Sequence, residues 1–313
     1  MNFSPLQNFK KEDFFLNPIP HIVIKNALPE ELYTELRNTY PANKFNFSNQ
    51  SLARNDFETL SPNNVILNVP HEEIQKNKEV SELWKNFMLF FKSKEFCFQV
   101  FDIFAKSIVD AYPNFFENKD ELHSLSVGQP DSKSGGNSAD LFPYAMVMYN
   151  TPVKKKSRPR RSDGRALQIH PDAPNKLITG LIYFRDEDDT SVGGDLVIYK
   201  WRISLPFFMK KIVIAKRDNF LNSIIRKLHP LFIEEAVKVK YSSNTFVMFV
   251  GSIDSLHSVS PRGVTKNIRK TIHVGIPYKK QHWDPYSIID KVFNFKNYKF
   301  LQFLWSKKKP NVK

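Results

Sequence analysis

Apolar and polar positions change rhythm near residue 138. Residues 1–19 are polar and aromatic without a period, which predicts an extended lead-in. HIVIKNA (21–27) is apolar and β-branched, the pattern of a short strand. Pro29 then stands where a first helical turn tolerates it, with Glu30 and Glu31 near the positive helix end. That helix should run to about Thr39, before Pro41. Residues 41–79 are Asn-rich with few periodic apolar positions and predict a loop with one short strand at VILNV (65–69). Over 80–112, Cys97, Phe101, Phe104, Ile108 and Ala111 recur at spacings of three and four, one face of a helix turned to the core; Pro113 ends the pattern.

From about 138, short β-rich runs alternate with turns: YAMVMY (144–149), ALQIH (166–170), LITGLIYF (177–184), DLVIYKW (195–201), TFVMFV (245–250) and KTIHVGI (270–276). Such a succession predicts a sandwich or jelly roll. The stretch 203–243 interrupts it, carries a helix-like pattern near 218–228, and reads as an insertion. The expected class is mainly β with helical additions, an α+β chain. Residues 1–137 form a helical support packed on the core, 138–278 the β core with its insertion at about 203–243, and 279–313 a basic C-terminal extension.

Composition adds constraints. Apolar residues make up 41 % and aromatics 14 %, enough for a sizeable core, while 25 % charged residues and only 10 glycines exclude disordered and collagen-like classes. A single cysteine, Cys97, excludes an internal disulfide framework and a cysteine-built zinc site, and points to a reducing, cytoplasmic setting. The first residues lack an apolar run of signal-peptide length. The most apolar stretch, Phe87 to Tyr112, is interrupted by Lys92, Lys94, Glu95, Asp102 and Lys106, so a soluble protein with no membrane partner is expected. The net charge of +14 favours an anionic partner.

Candidate chemistry begins at His170-Pro-Asp172. Two residues apart on a strand, both side chains point to one face and can reach one ion. His71-Glu-Glu73 and His282-Trp-Asp284 share the spacing but not the sequel. After His170 come a strand, an acidic turn, Gly193-Gly194, a further strand, and then His257 in SLHSV, followed by Arg269 at the head of KTIHVGI. Two imidazoles and one carboxylate on one face of an octahedral ion leave three positions open, which suits non-heme Fe(II). A 2-oxo acid and dioxygen could fill them. The far carboxylate of such an acid needs an always-charged, two-pronged partner, for which Arg269 is the candidate; Thr271 and His273 alternate with it on the same strand face. His21, His71, His123, His229 and His282 are read as non-catalytic.

HPDAPNKLITGLIYFRDEDD, GGDLVIY and SLHSVSPRGVTKNIRKTIHVGI together resemble the Fe(II)/2-oxoglutarate-dependent oxygenases, in particular their prolyl-4-hydroxylase-like branch, over roughly residues 140–278. The resemblance implies a double-stranded β-helix (jelly roll) core. It implies Fe(II) held by His170, Asp172 and His257, 2-oxoglutarate as co-substrate, O2 as oxidant, and oxidation of a C–H bond. It also implies Arg269 as the salt-bridge partner of 2-oxoglutarate, Tyr183 as a hydrogen-bond donor to the same carboxylate, and Tyr149 as a tyrosine facing the site. The gap from His257 to Arg269 is longer than usual in that branch, which makes Arg262 and Lys266 competitors for the basic role. Asp172 stands where the superfamily's halogenases carry a small residue, which argues against halogenation.

The basic segment Lys154, Lys155, Lys156, Arg158, Arg160, Arg161, Arg165 precedes the metal motif and reads either as solvated loop or as a lid attracting an anionic substrate. It has no interleaved aromatic residue, and NIRKTIH does not reproduce the run of the nucleic-acid demethylases, so no nucleic-acid partner is expected. Three functions remain open: an oxygenase of a small anionic or amino-acid-derived substrate, giving hydroxylation, desaturation or ring closure; a hydroxylase of a prolyl or other residue in a peptide or protein; and a non-enzymatic jelly-roll binding protein.

Overall fold

The structure is a computed structural model and describes residues 2–45, 66–128, 139–153, 169–214 and 228–283. Ten strands form two antiparallel sheets among these residues. They are β1 (Phe14–Phe15), β2 (His21–Lys25), β3 (Ile66–Pro70), β4 (Tyr144–Asn150), β5 (Lys176–Tyr183), β6 (Leu196–Trp201), β7 (Ile233–Val239), β8 (Thr245–Val250), β9 (His257–Val259) and β10 (Arg269–Pro277). The large sheet runs β1-β2-β8-β5-β10-β4-β3 and the small one β7-β6-β9. The chain is therefore α+β with mostly antiparallel strands.

Alternation along the strands explains the layers. On β5, Ile178 and Ile182 face a cluster shared with the helices, while Leu181 and Tyr183 face the small sheet. On β8, Phe246, Met248 and Val250 take the helical side, and Val247 and Phe249 the inter-sheet side. On β6, Leu196 and Ile198 point between the sheets, while Val197 and Tyr199 build a third cluster outside with Leu205, Val213 and Ile214. Gly180 belongs to the crowded helical face: a Cβ there would lie 2.9 Å from Val274 and 3.1 Å from Met248.

The helical layer is more divided than its sequence pattern predicts. The expected first helix is α1 (Glu30–Asn38). The single helical stretch over 80–112 is instead α3 (Glu82–Phe90) and α4 (Lys94–Ala111). The break is set by Ser93, whose side chain accepts from Phe96 N and starts α4 anew, as Ser81 does from Trp84 N at the head of α3. A short helix α2 (His71–Lys76) lies inside the expected 41–79 loop, burying only His71 and Ile74, too few positions to show a period. A further short helix α5 (Lys119–Ser124) starts at the Asn118 cap. Trp84, Phe87, Phe101, Phe104 and Ile108 bury themselves against Val147, Ile182 and Ile272 of the large sheet, so helices and sheet share one core.

The stretch 203–243 is not an uninterrupted insertion. It contains α6 (Phe207–Val213), but its end is β7, which pairs with β6 from Leu196↔Val239 to Trp201↔Ile233. The sequence IEEAVKV hides this strand because most of it faces solvent. Most of the helix expected near 218–228, nearly all of the basic segment at 153–165, and most of the 279–313 extension lie outside the described residues. No helix among the described residues is long and apolar enough to cross a membrane.

Candidate functional site

The site starts from one backbone pairing. His170 N–H donates to the His257 carbonyl at 3.1 Å, and His257 N–H returns the bond at 3.0 Å. This bridge adds His170 to the edge of the small sheet beside β9. Residues directly opposite in an antiparallel pair share a face, and the two imidazole rings accordingly lie 4.6 Å apart. His257 also packs 4.9 Å from Phe249, on the inter-sheet side.

Asp172 joins them by a different route from the expected strand alternation. Residues 171–173 are not in a strand; only His170 makes a bridge. The carboxylate is set instead by the start of β5. Thr179 Oγ1 donates to Oδ2 at 2.6 Å and Lys176 Nζ donates to Oδ1 at 2.9 Å. Asp172 Oδ2 lies 3.9 Å from His257 Nε2. One donor atom each from His170, Asp172 and His257 falls within 4.8 Å of the others. With ligand bonds of about 2 Å, neighbouring donors around one ion stand about 3 Å apart, so the three side chains are grouped to close on a single ion by small rotations.

The surroundings of two donors favour ligation. His257 Nδ1 is 2.9 Å from the Ser255 carbonyl. A carbonyl only accepts, so Nδ1 carries a proton and Nε2 is the nitrogen left to meet a metal. Burial alone would push the Asp172 carboxyl up. The Lys176 ammonium, joined by His257 and His170 when those rings are protonated, outweighs it and holds the group well below the usual carboxylate range. Lys176 is correspondingly raised despite its own burial. The group fits an Fe(II) site: two imidazoles and one carboxylate, none of them cysteine.

Arg269 lies in the same inter-sheet layer. It is buried at 3 % exposure, and its guanidinium sits 5.5 Å from the Tyr183 ring and 5.1 Å from that of Tyr241. Nε donates to the Gly194 carbonyl at 2.8 Å. Nη2 is buried with no hydrogen-bond partner, and so is the Tyr183 hydroxyl. Burial pushes that hydroxyl up to about 12 against the pull of Arg269, so it is a donor at neutral pH. Two orphaned donors side by side are costly unless an acceptor reaches them. Gly194 makes room for the arrangement. Its φ is +81°, and a Cβ would stand 3.0 Å from Arg269 Cδ. Thr271 pairs with Tyr183 in register and donates to the Met148 carbonyl at 3.3 Å.

Two expected roles need correction or narrowing. Tyr149 pairs with Lys270, one position out of phase with Arg269 and Thr271, and packs in the core on the helical side with Leu67, Val147 and Ala145. The register thus turns it away from the face that carries Arg269, and the role implied for it is not met. Arg262 is a tether: Nη1 donates to the Thr151 carbonyl at 3.0 Å and Nη2 to that of Asn267 at 2.7 Å. The residues that sequence reasoning missed are Lys176, Thr179, Tyr144 and Tyr241. Tyr241 sat in the supposed insertion; Lys176 and Thr179 carried a usable signal, polar residues opening an otherwise apolar strand just after the motif.

His282 packs among aromatic rings. Both ring nitrogens are buried without partners, and the ring stacks 4.0 Å from Tyr112 and 5.7 Å from Tyr278. Burial pushes it down to about 4. The unfolded chain therefore takes the proton first as pH falls, so stability drops between about 6.5 and 4 and the loss levels off below. His282→Phe should melt higher than wild type, with a gap wider at pH 5 than at pH 7.5. Thermal melts at both values check this, and an equal gap at both would remove the titration account.

No family model matches the chain, and no curated protein matches it. Solved oxygenase structures do. A prolyl hydroxylase from Trichoplax adhaerens, in complex with a hypoxia inducible factor peptide fragment, is 13 % identical, over 82 % of this chain and 83 % of that one, with a TM-score of 0.37. HygX from Streptomyces hygroscopicus, with nickel and 2-oxoglutarate bound, is 10 % identical over 84 % and 85 %, with a TM-score of 0.38. SnoK, a non-heme alpha ketoglutarate dependent carbocyclase from nogalamycin biosynthesis, is 12 % identical over 93 % and 92 %, with a TM-score of 0.41. These likenesses add no weight to what the side chains of the site say.

Proposed function

We propose that this protein is an Fe(II)- and 2-oxoglutarate-dependent oxygenase on a double-stranded β-helix core, acting on a small anionic or amino-acid-derived substrate. The observation that carries the reading is the convergence of His170, Asp172 and His257 donors within 4.8 Å. The strand order supports the core: β4, β5, β8 and β10 are neighbours in the large sheet, and the His170 bridge, β6, β7 and β9 are neighbours in the small one. When bound, Fe(II) with 2-oxoglutarate and O2 supplies the oxidation of an unactivated C–H bond, one oxygen atom passing to the substrate and one to succinate, with release of CO2.

The chain's own residues then have separable tasks. His170, Asp172 and His257 would hold the ion. Arg269 and Tyr183 would receive the far carboxylate of 2-oxoglutarate, because Nη2 and the phenol are buried donors without acceptors on the face that the inter-sheet layer shares. Thr271 lies in register with Tyr183 and shares its face of the sheet. The tyrosine faces and the Gly194 carbonyl keep the guanidinium oriented and shielded from water.

The small-acid substrate rests on the charge of +14 and on the basic run before the metal motif. An aerobic assay of the full chain with Fe(II), 2-oxoglutarate and panels of small acids and peptides, read by succinate release, tests it. Stimulation by a small acid is expected; stimulation by peptides alone would move the substrate to a polypeptide. Folded, Fe(II)-loaded protein that releases no succinate above the metal-free control would overturn the oxygenase reading.

A further inference from the structure

The two oxygens of Asp172 are held unequally. Oδ2 is the one 3.9 Å from His257 Nε2, and it accepts from Thr179 Oγ1. Oδ1 is engaged by Lys176 Nζ at 2.9 Å. The two side chains are only 12 % and 14 % exposed, so water does not compete freely for the pair. A carboxylate can ligate a metal through one oxygen or through both. To use both here, Oδ1 would have to leave the ammonium.

The ammonium is itself placed by packing. The backbone N–H of Lys176 donates to the Ala173 carbonyl at 3.0 Å, fixing the turn into β5. Nζ stands 5.4 Å from the centroid of the Tyr144 ring, and the Tyr144 hydroxyl is 3.2 Å from His273 Nε2. That ring lies against Gly275, where a Cβ would come within 2.6 Å of Cε1. The series Gly275, Tyr144, Lys176, Asp172 is thus a chain of contacts ending on one carboxylate oxygen.

We propose that Lys176 is a positioning residue that restricts Asp172 to one-oxygen ligation, so that a bound ion keeps three positions open. The inference rests on the metal reading above. A 2-oxo acid chelating through two oxygens fills two positions, and dioxygen needs a third. A two-oxygen Asp172 would leave only two, and the co-substrate would take both.

The test counts open positions without turnover. Full-length protein is loaded with Mn(II), with no 2-oxo acid present, and the water-proton relaxivity per bound ion is measured for wild type, Lys176→Met and Lys176→Arg, alongside thermal melts. Wild type should hold about three exchangeable waters and Lys176→Met about two, lowering the relaxivity by about a third. Lys176→Arg, which keeps a charged donor, should restore it. If Lys176→Met does not fold, Gly275→Ala, which displaces the Tyr144 ring, is read the same way and should also lower the relaxivity. An unchanged relaxivity in the folded variant overturns the proposal while leaving the metal site standing. Wild-type protein that fails to bind Mn(II) removes the metal reading and this inference together.

Discussion

His257→Ala should bind Fe(II) at least about 100-fold more weakly than wild type while melting as a folded protein. Losing a residue that merely orients a metal ligand costs about 10–100-fold in affinity, and His257 is a ligand candidate itself. Its Nε2 faces Asp172 Oδ2 while Nδ1 is committed to Ser255. The fold should tolerate the change because the bridge to His170 uses main-chain atoms only. Titration of metal-free protein with Fe(II) under anaerobic conditions, with melting curves in parallel, reads both quantities. Wild-type affinity in this variant would take His257 out of the ligand set.

Arg269→Ala should weaken 2-oxoglutarate binding by roughly 10²- to 4 × 10³-fold. Breaking a buried ion pair by removing one partner costs about 3–5 kcal/mol, and each 1.4 kcal/mol is about a factor of ten. Arg262→Ala should change that affinity far less, since both its terminal nitrogens already serve the Thr151 and Asn267 carbonyls. Titration of the Fe(II)-loaded variants with 2-oxoglutarate distinguishes them. A larger loss in Arg262→Ala would transfer the carboxylate role to that residue.

What could be read from the sequence follows from how strongly each segment is constrained. TFVMFV coincides with β8 because it is buried on both faces and apolar throughout. The metal motif was legible because two imidazoles and a carboxylate, His170 and Asp172 two residues apart and His257 after a run of strands, are a chemical pattern. Tyr149 was not, because its face depends on the register of β4 against β10, and a shift of one residue moves a side chain to the other side of a sheet. β7 was hidden by its polar, solvent-facing positions. Lys176 and Thr179 could be seen but not assigned, since their partner is reached only after the chain leaves the irregular segment at 171–173 and turns into β5.

The bridge between His170 and His257 bears on the order of folding. Its two segments are separated by β5, β6, β7 and β8, so it can close only after a long stretch of chain has been arranged between them. Contacts that enclose long loops carry a large entropic cost and form late. A nascent or partly unfolded chain therefore offers Asp172 and His170 without His257, a poor two-ligand trap. On the proposed metal reading, iron uptake would follow completion of the fold.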